Sequence, residues 1–430
     1  MNKATYDAYV QIIHAELIPA MGCTEPIAIA YCCAKAARTL NCLPEKIRVS
    51  CSGNIVKNVK GVVVPNSGGM KGIDAAAVLG AVGGDPDRGL EVIAGASEQD
   101  REKVAQLLRD KDYCRCAVME GGDNLHIIVS VQAGGHSAAV EIKGEHTHIV
   151  RIEKDGEILF AADAPLKAQA PAAMDLPRLK ELLSVEGILI FADTVELDLV
   201  REPLERQIET NSRISMEGLK NDYGVRVGKA LMSKRSAEDL TVRLKAVAAA
   251  GSDARMSGCP LPVVINSGSG NQGITVSMPV IEYAREMGAS HDKLLRALIV
   301  SNLISIHQKR FLGNLSAYCG ATSAACGAVC GIASLCGYRY DTIANTITNA
   351  IATIGGMVCD GAKPSCAAKI ASALDAAFMA FELQQSGGVF APGEGLVRSD
   401  VEKTIRAVGQ MGREGMKSTD SEILEIMLSE

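Results

Sequence analysis

The chain contains no tryptophan, and only 3% of it is aromatic although 47% is hydrophobic. Without large rings the core has to be filled by Ala, Val, Ile, Leu, Met and Cys, yet interiors pack to near-crystalline density whatever their composition. Small side chains reach that density best where helix backbones approach closely. At 430 residues the chain buries enough surface for two or three domains, so a mainly helical protein is expected.

The formal net charge is −6, and Lys and Arg are scattered along the sequence. Binding to nucleic acid requires a positive stripe, and none is present. The N-terminal stretch Met1–Leu17 is amphipathic and carries Asp7 and Glu16, so it does not read as a secretory signal. Fourteen cysteines in such a chain point to a reducing, cytoplasmic location, where they are thiols or metal ligands rather than disulfides. The uncharged run between Arg310 and Arg339 is long enough to span a bilayer. It is mostly Ala, Gly, Ser and Cys, however, and reads as a helix buried in a soluble core, with no membrane association. A helical surface rich in Ala and Gly suits a homodimer.

Apolar spacing predicts helices over 4–18 and 25–41, interrupted by Ala20–Thr24. From about Ile47 to Val64 the pattern turns strand-like. A Gly-rich loop at 66–72, an Ala-rich helix and a charged helix near 98–109 follow. Five β-like segments come next: CRCAVM, LHIIVSVQ, HSAAVEIK, THIVRIEK and EILFAA. Their spacing suggests an antiparallel meander ending near residue 162. From Leu176 onward nearly everything reads as helix, over 176–184, 189–209, 225–250, 275–288, 291–311, 321–337, 340–356 and 366–386. The fold class is therefore α+β, a large all-helical domain with an inserted smaller α+β domain containing an antiparallel sheet. The expected divisions are 1–42 for N-terminal helices packing on the helical domain, 43–170 for the α+β domain, and 171–430 for the helical domain.

The C-terminal half carries the densest chemical signal. Cys319 precedes a predicted helix in Leu315-Ser316-Ala317-Tyr318-Cys319-Gly320. Cys359 and Cys366 bracket Asp360-Gly361-Ala362-Lys363-Pro364-Ser365, where Gly361 and Pro364 make a turn. Such a turn can aim both sulfurs at one point, with Cys366 entering the next helix, whose free N–H groups and dipole favour a thiolate. Three thiolates at loop–helix junctions suit an iron–sulfur cluster with one position left to a non-protein ligand. An open iron there is a Lewis acid toward a substrate thiol or hydroxyl, and β-elimination then needs a base for the α-proton. Zinc is the chief rival on spacing alone, since cysteine-only sites suit it too. Cys326, Cys330 and Cys336, at helical spacing, read as packing residues. Cys32, Cys33, Cys42 and Cys51 read as buried structural thiols, and the Cys114–Cys116 pair lies at a strand edge with no second pair to complete a zinc site.

Two Gly-rich loops precede helices, at 66–72 and 266–273, and neither has the spacing of a nucleotide-binding loop. A helix N-terminus suits a small anion such as an amino-acid carboxylate, and Ser267, Ser269 and Asn271 are the candidates to bind it. The 66–72 loop reads equally well as an ordinary cap. His307 and Lys309, on a helix shortly before Cys319, are candidates to support the metal ligands from behind. His146 and His148 alternate onto one strand face without metal-ligand spacing. Cys23 stands before Glu25-Pro26 at a helix start, where Thr24 reads as the cap and Pro26 as a first-turn residue. A thiol there is favoured as thiolate and is a candidate general base. A buried cysteine in a capping loop and a fourth cluster ligand are the other readings.

The segments Met21-Gly22-Cys23-Thr24-Glu25-Pro26, Leu315–Gly320 and Cys359–Cys366 closely resemble the L-cysteine desulfidase family, a group related to the alpha chain of iron–sulfur L-serine dehydratases. The resemblance covers essentially the whole chain. It implies a 4Fe–4S cluster, a helical catalytic domain and an α,β-elimination, with Cys319, Cys359 and Cys366 matching the cluster ligands and Cys23 matching a family cysteine. Against the dehydratases the interval between the last two ligands is shorter here, which leaves Cys326 as an alternative to Cys366, while the 266–273 loop has a similar counterpart. The expected activity converts L-cysteine, a small amino-acid substrate, to pyruvate, hydrogen sulfide and ammonia. Dehydration of L-serine by the same means is the nearest alternative, and a non-catalytic iron–sulfur or zinc-binding sensor is the alternative of another class.

Overall fold

A computed structural model describes all residues except 120–122, 163–174, 234–237, 314 and 430. The chain opens with α1 (Lys3–Glu16), β1 (Pro19–Met21) and α2 (Thr24–Leu40), and Asn41 at φ 67° ends α2. Next come β2 (Lys46–Ser52), α3 (Gly53–Lys60), α4 (Ile73–Gly83) and α5 (Glu98–Leu107). A reciprocal Ser97–Asp100 capping box starts α5. Five strands follow, β3 (Cys114–Met119), β4 (His126–Ala133), β5 (His136–Lys143), β6 (Ile149–Lys154) and β7 (Glu157–Ala161).

These strands and β2 form one sheet in the order β3-β2-β4-β5-β6-β7. The hairpins β4–β5 and β6–β7 turn on Gly134-Gly135 and Asp155-Gly156, four residues with positive φ, as two-residue type I′ turns demand. The expected meander is thus present from β4 to β7. The sheet as a whole is mixed, because β2 pairs antiparallel with β4 but parallel with β3. A parallel pair needs a long crossover, and α3–α5 provide it. The strand-like reading of 47–64 ends at Ser52. Beyond it, Ile55 and Val59 are buried at an i, i+4 spacing on α3, so the same β-branched residues serve a helix face.

The helical part comprises α6 (Leu176–Glu181), α7 (Val185–Thr194), α8 (Arg201–Lys220), α9 (Val227–Leu231), α10 (Leu240–Met256) and, after β8 (Pro262–Val264), α11 (Gly270–Glu286). It continues with α12 (His291–Leu312), α13 (Ala321–Leu335), α14 (Tyr340–Ile354), α15 (Cys366–Gln385), α16 (Val401–Gln410) and α17 (Lys417–Leu428). Two of the long predicted helices are broken. The 189–209 reading divides into α7 and α8, since Val195 is extended (ψ 138°) where α7 ends and Pro203 belongs to the first turn of α8. The 225–250 reading divides into α9 and α10, with Asp239 capping α10 through the Val242 N–H. Together with the mixed sheet, the helices make a mostly helical α+β fold. No described helix is long and apolar enough to cross a membrane.

Close helix approach fills the ring-poor core. A Cβ on Gly218 would stand 1.9 Å from the Ala250 carbonyl oxygen, where α8 crosses α10. On Gly327 it would stand 2.5 Å from the Ser301 carbonyl oxygen, where α13 crosses α12. Three of the aromatic rings meet where α1 packs on α7, with Tyr6 and Tyr9 edge-on to Phe191.

Of the two N-terminal helices expected on the helical domain, α1 packs there, against α6 and α7, whereas α2 lies on β4, β5 and α4. Its Cys32, Cys33 and Ala36 are apolar and buried against the inner face of the sheet, where Val129 and Val140 point. The expected boundary near residue 170 falls outside the described residues. Between α1 and α2 the chain joins the helical part through an antiparallel ribbon, β1 with β8, in which Pro19 faces Val264 and Met21 faces Pro262. Gly218→Ala should lower stability by about 1–3 kcal/mol through backbone overpacking, read as a lower urea midpoint.

Candidate active site

The ribbon sets the first two loops side by side. Gly22 (φ +59°) follows β1, and a Cβ there would meet Pro65 at 1.9 Å. Cys23 is therefore delivered as the N-cap of α2, and Thr24 is the first helical residue rather than the cap. After β8, the Asn266–Ser269 turn starts α11, with Ser269 capping it. Arg255, at the end of α10, ties the two together by donating from Nε to the Gly22 carbonyl oxygen at 2.9 Å. Thr24 Oγ1 donates to the Gly268 carbonyl oxygen at 3.0 Å.

The C-terminal loops are locked by a short antiparallel contact between Tyr318 and Val358. The Cys319 N–H donates to the Met357 carbonyl oxygen at 2.9 Å and the Cys359 N–H to that of Ala317 at 2.6 Å. Below them, Gly361 (φ +89°) presses on α3, where a Cβ would stand 2.3 Å from the Lys57 carbonyl oxygen. Cys366 opens α15 and its Sγ lies 3.7 Å from the Gly361 carbonyl oxygen.

These loops border one pocket, open to solvent and with about 720 Å³ of empty space including its mouth, lined by Cys23, Ser269, Asn271, Lys309, Cys319, Cys359 and Cys366 among the sequence candidates. Glu25, Asn58, Arg255, Gln272 and Lys369 complete its polar wall. Two candidates lie elsewhere. Ser267 turns its Oγ to Asn266 Oδ1, 3.1 Å away, and lines a neighbouring cavity. His307 is fully buried and its Nε2 meets Glu402 Oε2 of α16 at 2.7 Å, away from the cavity; burial holds its pKa down against that carboxylate. Helical periodicity puts residues 307 and 309 on different faces, and Lys309 alone faces the cysteines. Cys326 is buried in α13 beside Cys330 and does not line the cavity, so Cys366 is the third cysteine there. Cys42, read as buried, is exposed at the end of α2.

The thiols differ sharply in character. Cys319 and Cys359 share a hydrogen bond, which draws Cys359 down to about 6 and pushes Cys319 well up; Lys57, the Gly361 N–H and Lys309 also favour the Cys359 thiolate. Burial raises Cys366. Burial also brings Lys309 down to about 8, against the pull of Cys359 and Cys319. Lys57 is ion-paired to Asp420 of α17, and Lys369 to Asp360 beside Cys359.

Cys23 does not behave as its helix N-terminus suggests. Burial first, then the Glu25 carboxylate, pushes its thiol well above the ordinary range, and Sγ donates to Glu25 Oε2 at 3.0 Å. The resting group is a thiol hydrogen-bonded to a carboxylate. Burial would raise Glu25 as well, but His146, the Cys23 S–H and Arg255 outweigh it and hold the carboxyl at about 2. Asn58 Nδ2 donates to its other oxygen at 3.2 Å.

The donor set suits an iron–sulfur cluster. Three cysteines share one wall with the cations Lys309 and Lys369, and Lys57 stands behind. Among the described residues no three Cys, His, Asp or Glu side chains close into a single-ion site, for which Zn–S bonds of about 2.3 Å would require sulfurs within about 4 Å of one another.

Sequence reasoning missed Arg255, Glu25, Gln272 and Asn58. Arg255 carried a signal, as a charge at the end of the Ala-rich stretch 246–256, most of which is buried. Glu25 lay inside the Cys23 motif without a role of its own.

Residues 87–425 match the serine dehydratase alpha chain family. The chain belongs to that family. Over 424 residues it is 49% identical to a UPF0597 protein of Lachnoclostridium phytofermentans, covering 99% of this chain and 100% of the relative. It is 45% identical over 434 residues to a UPF0597 protein of Treponema denticola, with both chains fully covered. Membership in the serine dehydratase alpha chain family points to a lyase of the serine dehydratase type, a family associated with iron–sulfur enzymes.

Because Glu25 titrates lower in the folded than in the unfolded chain, its stabilisation is complete above its ordinary pKa and is lost as pH falls toward 2. Between pH 5.5 and 3 the wild type should lose about 2 kcal/mol more stability than Glu25→Gln, measured by urea unfolding at each pH.

Proposed function

We propose that the protein is an iron–sulfur-dependent lyase that removes sulfide and ammonia from L-cysteine to leave pyruvate. The observation that carries this reading is the convergence of Cys319, Cys359 and Cys366 with Cys23 and Arg255 on one cavity. Cys319, Cys359 and Cys366 would hold a 4Fe–4S cluster. Held by three thiolates, such a cluster supplies one iron as a Lewis acid toward the sulfur or oxygen on the substrate's β-carbon.

The chain's own groups account for amino-acid recognition. Arg255 uses Nε on Gly22 and Nη1 on the Met256 sulfur, which leaves Nη2 to take a carboxylate in a charge-assisted hydrogen bond. The buried Asn271 Oδ1 and Gln272 Oε1 lack hydrogen-bond partners among the described residues. Both are acceptors, and unpaired buried acceptors carry a penalty of about 1–3 kcal/mol each that a substrate ammonium relieves. Ser269 caps α11 between them and the Gly268 turn.

Elimination then needs a base at the α-carbon. Once the Cys23 proton has left along its hydrogen bond to Glu25, which passes it on rather than keeping it, the thiolate takes the α-hydrogen as a proton. The C–H pair becomes the Cα=Cβ bond, and the leaving group departs with its bonding pair. The resulting enamine tautomerises and hydrolyses to pyruvate and ammonia. Lys309 offsets the negative charge of Cys319 and Cys359 on the same wall. L-Serine fits the same arrangement with hydroxyl as leaving group. A purely sensing site would have no use for Arg255 and the two amide acceptors, which favours catalysis over that alternative.

The test is anaerobic reconstitution with iron and sulfide, followed by pyruvate assays on both amino acids. Cys359→Ala should lose cluster absorbance and activity together. Cys23→Ser should keep the absorbance and lose turnover by roughly 100-fold or more. A colourless wild-type protein, or one inert toward both amino acids, contradicts the proposal.

A further inference from the structure

Glu25 has a neighbour contributed by the sheet. His146 lies in the turn between β5 and β6, not on a strand face with His148, which is exposed and bonds through Nδ1 to the Lys143 carbonyl oxygen. His146 is 8% exposed. Its Nε2 lies 3.9 Å from Glu25 Oε1 and has no hydrogen-bond partner among the described residues.

The same ring lines a second pocket, open to solvent and bordered by Gly268, with Glu16, Glu145, Lys180 and Ser267. Glu16 and Lys180 form an ion pair there. Gly268 (φ +75°) makes room for the ring, since a Cβ would stand 3.3 Å from His146 Cε1. His146 thus faces the site carboxylate with one nitrogen and borders a separate polar cavity.

That position meets a need of the chemistry. A substrate in the first cavity covers Cys23, which is itself only 2% exposed, so a proton on the Cys23–Glu25 pair needs another way out. Resting on the lyase reading above, we propose that His146 relays protons between the Cys23–Glu25 pair and the second cavity. An imidazole accepts a proton at one nitrogen and releases another from the second. The Cys23 S–H gives its proton to Glu25, Glu25 passes one to Nε2, and Nδ1 releases one to the second cavity. The Cys23 thiolate so formed takes the α-hydrogen and returns to thiol, and each turnover hands one proton to solvent. The 3.9 Å gap is about 1 Å longer than an N–H···O bond, and a shift of that size in the β5–β6 turn closes it.

Two measurements test the relay, one of them independent of the reaction. In cluster-free protein the infrared S–H band of Cys23, identified by its loss in Cys23→Ser, is followed after transfer into heavy water. Exchange in His146→Gln should be roughly 10- to 100-fold slower than in wild type; equal rates overturn the relay whatever the site catalyses. In the reconstituted enzyme, His146→Gln should lower kcat with KM unchanged, and dissolved imidazole should restore turnover to His146→Ala. Failure of imidazole to restore a His146→Ala protein with wild-type circular dichroism and Tm also overturns it. A wild-type enzyme that makes no pyruvate contradicts the lyase reading, and the exchange rates then decide the relay alone.

Discussion

Two backbone hydrogen bonds hold the cysteines of the C-terminal loops together. They flank the contact of Tyr318 with Val358 and join segments some forty residues apart in the chain. Each bond contributes only about 1 kcal/mol net, but both lie in a packed setting, with Tyr318 almost fully buried. Register does the rest. With Cys319 bonded to the residue two before Cys359, and Cys359 to the residue two before Cys319, the two cysteines fall on the same face of the contact as diagonal neighbours. Gly361, with no Cβ, then lets the loop turn against α3 and run on to Cys366.

Electrostatics around that contact follow from burial. Thiols and lysines are both expensive to bury charged, and here they lie close enough to support one another. The Cys359 thiolate is favoured by Lys57 and Lys309, and Lys309 by Cys359 and Cys319. Asp420 reaches Lys57 from α17, and Asp360 reaches Lys369, so the wall is a network rather than isolated charges. Around Cys23 the sign differs. Cys23 keeps its proton because it is buried and because Glu25 holds a negative charge beside it. One cavity thus places the Cys319 and Cys359 thiols against cations and the Cys23 thiol against an anion, a separation that the proposed elimination would use.

Much of this was legible in the sequence where it depends on local chemistry. Gly134-Gly135 and Asp155-Gly156 announce their hairpins because few other residues accept positive φ. Gly327 marks a close helix crossing in a chain without large rings. Cys23, Cys319, Cys359 and Cys366 stood out through the turns and helix starts around them, and all four reach the cavity. What depends on the global path was not legible. The parallel pairing of β2 with β3 follows from a crossover whose destination no local pattern specifies. Arg255, Asn58 and His146 come from three separate elements and meet only after folding. Ser267 was misplaced because a positive φ, here 50°, turns its side chain out of the row formed by its neighbours. His307 was misplaced because proximity in sequence to Cys319 does not choose a helix face. The thiol state of Cys23 reversed for a related reason, since burial beside Glu25 outweighs the helix dipole.

The central claim is that Cys319, Cys359 and Cys366 together hold one iron–sulfur cluster at the cavity wall. An anaerobic crystal structure of iron-loaded protein, with an anomalous difference map recorded at the iron edge, tests it most directly. The account predicts a compact group of iron peaks bonded to the sulfur atoms of these three residues, with none against Cys326 or Cys330. A single metal ion, or iron bound elsewhere while these three sulfurs stay free, would contradict it.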